Sequence, residues 1–131
     1  MAKWIERDLR YAHYIAEGMH PRTKRGLTCA VCGEPVVVGA HNKNPLAASL
    51  DHMTARAVSR ARYDITPTNL VVLCARHNSS KGDDDMTTYL AKQPAKVAAA
   101  AWKRIGKRIG RKADMTVYIQ QSRKAGYGKK K

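Results

Sequence analysis

Two paired motifs constrain this chain more than any other feature: C-x-x-C at Cys29 and Cys32, and C-x-x-H far downstream at Cys74 and His77. Each pair puts two soft donors on one tight turn, and together they can enclose a single tetrahedral ion and tie two distant segments to each other. This is the layout of a closed structural zinc site. The cysteines number 3, an odd count, and the opening MAKWIERDLR carries charges where an export signal needs an apolar stretch. Both facts argue against a disulfide framework and for thiolates used as metal ligands, with the cytoplasm as the expected location. At 131 residues, with no Phe, the chain is one domain with a small core, and a metal staple would strengthen it.

Patterning divides the chain into three parts. In residues 1–26, Ile5, Leu9, Ala12 and Ile15 recur at helical spacing after Trp4, and Gly18 and Pro21 end the run, so an N-terminal helix and a basic turn are expected. In residues 27–92, TCAVCGEPVVVGAH predicts a knuckle followed by a strand to Gly39, AASLDHM a short strand, and NLVVLC a buried strand. MTTYLAKQ then reads as a helix capped by the preceding Asp run. In residues 93–131, Pro94 opens a helix whose apolar face carries Val97, Ala101, Ile105 and Ile109, with Lys103, Arg104, Lys107, Arg108 and Arg111 over the rest. The tail SRKAGYGKKK reads as flexible and phosphate-seeking.

Lys and Arg total 25 against 10 Asp and Glu, a formal net charge of +15, which is the electrostatic footprint of a nucleic-acid binder. The basic residues are spread along the chain, which disfavours a membrane-surface helix, and no window is long and apolar enough to span a bilayer.

The set "CAVC", "LDHM", "TNLVVLC" and "RHNSSKGD", in that order, resembles the HNH endonuclease family over roughly residues 27 to 92. The resemblance implies an α+β fold with a small ββα-metal (His-Me finger) core, a zinc cluster, an N-terminal helix and a basic C-terminal helix. By the same resemblance Asp51 and Asn78 hold a catalytic divalent ion, Mg²⁺ or Mn²⁺. His52 is the general base, and Asn69 fixes the loop that aims its imidazole. His77 stands where the family usually has a fourth cysteine, giving a Cys3His zinc set, and Asn78 replaces the last histidine of the motif, an HNN-type variant.

The chemistry fits these residue types. Phosphodiester hydrolysis needs a water made nucleophilic near neutral pH, which an imidazole can do, and positive charge where oxygens become more negative. One carboxylate and one amide oxygen hold a hard cation while leaving positions open for phosphate and water. The expected function is therefore metal-dependent hydrolysis of DNA. Candidate DNA contacts are Arg56, Arg60 and Arg62 in the long basic loop, Lys81, and Lys103, Arg104, Lys107 and Arg108 on the C-terminal helix. The competing expectation is a noncatalytic zinc module that binds nucleic acid by charge alone; it needs the zinc ligands but has no use for Asp51, His52 and Asn78. Bland roles also exist for single residues: Asn78 as a helix cap, Asn69 as a turn residue, and His41 with no role.

Overall fold

A computed structural model describes residues 7–41, 43–54 and 66–127. Trp4, Ile5, the loop arginines Arg56, Arg60 and Arg62, and the terminal lysines 129–131 lie outside the described residues.

The architecture is mixed α+β. Helix α1 spans Arg7–Ala16 and strand β1 Ala48–His52; a 3₁₀ turn at Pro67–Asn69 leads into β2, Leu70–Cys74. Four helices follow: α2 (Ala75–Lys81), α3 (Met86–Ala91), α4 (Ala95–Arg111) and α5 (Thr116–Lys124). The two strands pair antiparallel, Asp51 opposite Val71 and His52 opposite Leu70. Every residue of β2 is buried, which is why its sequence is a continuous apolar run rather than an alternation. The core gathers Leu27, Val31, Leu50, Leu70 to Leu73, Met86, Leu90 and Ile105 around it. Among the described residues no helix is long and apolar enough to cross a membrane.

Three expectations need correction. The strand expected to run to Gly39 is only two isolated bridges, Thr28 with Pro35 and Val37 with Ala47, because Gly33 and Gly39, at φ +76° and +84°, turn the chain at both ends. On α4 the apolar stripe is rotated: Val97 is 37% exposed, and Ala98 packs on the core with Ala101, Ile105 and Ile109. The tail is not simply flexible, since residues 122–124 belong to α5, which packs along α1, and Ser122 and Tyr127 are buried. This helix ends in a Schellman motif. Tyr127 N–H donates to Ser122 O and Gly126 N–H to Arg123 O, both at 3.0 Å, with Gly126 at φ +92°.

Charge is also built into the interior. The Glu17 carboxylate, fully buried, accepts from Val72 N–H (3.0 Å to each oxygen), Arg108 Nη1 (3.1 Å) and Lys112 Nζ (2.6 Å). Lys112 also donates to Leu70 O at 2.8 Å, and Arg108 donates to Thr28 O at 2.7 Å and to Thr28 Oγ1. This network fastens α1, the knuckle, β2 and α4 to one another.

Candidate metal centre and adjoining polar site

The knuckle turn brings Cys29 and Cys32 to the strand-helix junction where β2 ends at Cys74, the N-cap of α2, and where His77 sits on that helix's first turn. One ligand atom from each of Cys29, Cys32, Cys74 and His77 lies within 4.8 Å of all the others. His77 Nδ1 is 3.2 Å from Cys74 Sγ and 3.9 Å from Cys29 Sγ. A tetrahedral ion with metal-sulfur and metal-nitrogen bonds of ordinary zinc length needs donor separations of roughly 3.5 Å. These four residues therefore form a set that can hold a metal such as zinc.

The surroundings suit that role. Burial pushes the Cys29 thiol up to about 12, opposed by backbone N–H groups of Cys32, Cys74 and Val31. A cation at the centre is what would make such a buried thiolate favourable. Burial, then the charge of Arg76, lowers His77, which favours the neutral ring that a metal ligand needs. Arg76 lies beside Cys74 and Cys32, a counter-charge for a cluster whose three thiolates outweigh one divalent ion. Arg104 Nη1 donates to Ala30 O (3.2 Å) and Val31 O (3.0 Å), and its guanidinium lies over Gly33, where a Cβ would meet Nη2 at 2.7 Å.

Beside this cluster stands a second group of polar residues. Asp51 is at the end of β1, and Lys81 Nζ, 3% exposed as a residue, reaches its Oδ2 at 2.8 Å from the last turn of α2. The contact is an ion pair, and the Asp51 carboxylate also accepts from the His52 backbone N–H. Burial pushes the Asp51 carboxyl up, and Lys81 only partly offsets that. Asn78 is three residues before Lys81 and so on the same face of α2. Asn78 and Ser79 line a cavity of about 220 Å³ with Ser49 of β1 and alanines 47, 48 and 75.

Asn69 grips the segment that follows His52. Its Oδ1 accepts from Thr54 N–H at 2.8 Å and its backbone carbonyl from Met53 N–H at 2.6 Å, while Met53 O accepts from Met86 N–H at 2.8 Å. Residues 52–54 are thus clamped between the 3₁₀ turn and the start of α3. His52 adjoins the Asp51-Lys81 contact: its backbone N–H bonds the Asp51 carboxylate, its charge acts on that group, and its Nε2 is shielded from solvent.

No family model, curated protein or solved structure matches this chain.

Of the expected DNA contacts, Lys103 and Lys107 are exposed on α4. Arg104 and Arg108 correct the expectation, because their guanidinium groups are spent on the knuckle carbonyls and on Glu17 and Thr28. Lys81 is likewise turned inward. His41 Nδ1 accepts from Lys43 N–H at 3.1 Å, a turn cap. Sequence reasoning missed Glu17, whose only signal was a carboxylate just before Gly18 at the end of a basic helix. It also missed the Asp51-Lys81 pair.

Proposed function

We propose that this protein is a metal-dependent endonuclease of the HNH type that hydrolyses DNA phosphodiester bonds. The observation that carries the reading is Asp51: a buried carboxylate whose desolvation Lys81 and the His52 backbone N–H only partly offset, on the strand end that also bears His52. Such a group invites a further positive ligand. Asp51 and Asn78 would hold Mg²⁺ or Mn²⁺ there, and the ion would supply positive charge to the phosphate oxygens. Zinc stays in the thiolate cluster, since soft donors suit it and oxygen donors suit the harder ions.

The chain's own residues do the remainder. His52 takes a proton from the attacking water, an imidazole being a fitting base near neutral pH. Asn69 restricts the backbone just beyond His52 and so restricts where the ring can point. Lys81 holds the Asp51 carboxylate in place. Lys103 and Lys107 on α4, with a formal net charge of +15 behind them, attract the DNA backbone without reading sequence.

One observation favours a different reading. Lys81 already supplies Asp51 with a cation, as a noncatalytic zinc module that binds nucleic acid by charge would require. Supercoiled plasmid with added Mg²⁺ or Mn²⁺ separates the two. The endonuclease relaxes or linearises it, and His52→Ala lowers the rate roughly 10²- to 10⁴-fold at saturating DNA with unchanged affinity. Equal cutting by His52→Ala and the parent protein would remove the proposed base.

A further inference from the structure

The basic turn PRTKRG and the residues that end α5 meet across a sequence separation of 106 residues. Tyr127 Oη donates to Pro21 O at 2.6 Å, and the Tyr127 ring stacks on Tyr11 with centroids 4.2 Å apart. Lys24 Nζ lies over both rings, 5.8 Å from the Tyr11 centroid and 5.4 Å from that of Tyr127. Between the joined segments is an open cleft of about 560 Å³, lined by Pro21, Arg22, Gln121, Lys124 and Ala125. That volume is within the range of clefts that take small polar ligands.

The charge here is not neutralised by any carboxylate among the described residues. Lys81, Arg104, Arg108, Lys112 and Arg123 all find acceptors inside the fold, but Arg22, Lys24, Arg25 and Lys124 are exposed and have no carboxylate partner among the described residues. The C-terminal end of α5 would ordinarily repel an anion, but its Schellman turn covers the Ser122 and Arg123 carbonyls with N–H donors. None of the exposed large apolar residues (Val37, Val97, Trp102 and Val117) lines the cleft, which favours a hydrophilic polyanion over a lipid surface.

We propose that this cleft is a phosphate-binding site for the backbone of duplex DNA, with Arg22 and Lys124 each meeting a phosphate and Gln121 donating its amide. The inference rests on the nucleic-acid part of the reading above and is independent of hydrolysis. It gives the protein a second anchor, built from chain segments outside the zinc cluster and the Asp51 site.

The test is a salt titration of binding to a short fluorescent duplex, using zinc-loaded full-length protein without added Mg²⁺ or Mn²⁺. Arg22→Ala with Lys124→Ala should flatten the plot of log affinity against log salt by about two, close to one per phosphate lost. Arg22→Lys with Lys124→Arg should restore the parental slope, which separates charge from misfolding. Lys43→Ala with Lys96→Ala, removing the same charge outside the cleft, should change the slope by less than half as much. A cleft variant indistinguishable from that control or from the parent overturns the proposal. So does a loss of binding to phosphatidylserine vesicles with DNA binding intact. If the slope falls as expected while the parent protein never cuts plasmid, the cleft stands and the hydrolytic reading falls; an unchanged slope with normal cutting gives the converse.

Discussion

Glu17 and Asp51 are both largely buried carboxylates that face a lysine ammonium, and their surroundings differ in the number of partners. Glu17 receives a backbone N–H, a guanidinium and an ammonium, and none of its side chain reaches solvent. Asp51 has the Lys81 ammonium and the His52 backbone N–H, with its side chain 12% exposed. A carboxylate offers about four lone-pair sites. With most of them taken, Glu17 is a fastener holding α1, β2 and α4 together. With fewer of them taken and part of its side chain exposed, Asp51 can accept another ligand. The number of hydrogen-bond partners, more than burial or charge, distinguishes the structural acid from the candidate catalytic one.

The largest expected effect lies outside both acids and sets the scale for them. Cys74→Ser removes one of four clustered donors at the junction of β2 and α2. It should lower metal content well below about one zinc per chain and unfold the domain or sharply depress its melting temperature. Elemental analysis and calorimetry check both; full metal content with an unchanged melting curve would dissolve the cluster assignment.

Next comes Glu17→Ala, which leaves Arg108 and Lys112 buried without their counter-charge. Breaking a buried pair from one side costs about 3–5 kcal/mol, readable by urea denaturation. A loss under about 1 kcal/mol, the value of a surface pair, would mean Glu17 is no fastener.

His13, buried near Lys112, extends the same region into a pH dependence. Burial and then the Lys112 charge lower it to about 3. Because the folded value lies below the unfolded one, the unfolded chain takes up the proton first. Stability is whole above about pH 6.5 and declines toward pH 3 by about 1.4 kcal/mol per unit. His13→Gln should show a shallower acid decline than the parent protein, about 3 kcal/mol less by pH 4. Parallel curves for the two proteins would contradict this.

The smallest effect belongs to Asp51→Asn. It leaves one lysine with a neutral partner and should cost about 1–3 kcal/mol, less than Glu17→Ala. Added Mn²⁺ sharpens the contrast: at a hundred times its dissociation constant it should stabilise the parent protein by about 2.7 kcal/mol and Asp51→Asn scarcely at all. Equal stabilisation of both would move the ion elsewhere.

Much of the site was legible because its information is local. The two pairs announce a Cys/His cluster able to hold a metal by spacing alone, since a tight turn fixes how far apart its two donors can be. The run LVVLC announces a strand covered on both faces, and Asp85 caps α3 with its Oδ1 on Thr88 N–H at 2.9 Å, as the Asp run suggested. The α+β arrangement of two strands and a following helix follows from those segments.

What only the tertiary structure decided is where each charge goes. Arg104 and Lys103 are neighbours on one helix, and one is spent on the knuckle carbonyls while the other faces solvent. A helix turns by about 100° per residue, and a few tens of degrees of rotation, such as the shift from Val97 to Ala98, reassign which side chains point inward. Lys81 joining Asp51, Glu17 collecting Arg108 and Lys112, and Tyr127 reaching Pro21 all link positions with no sequence relation. Composition sets how many cations the chain has. Packing geometry sets which of them a buried acceptor neutralises and which remain for a partner.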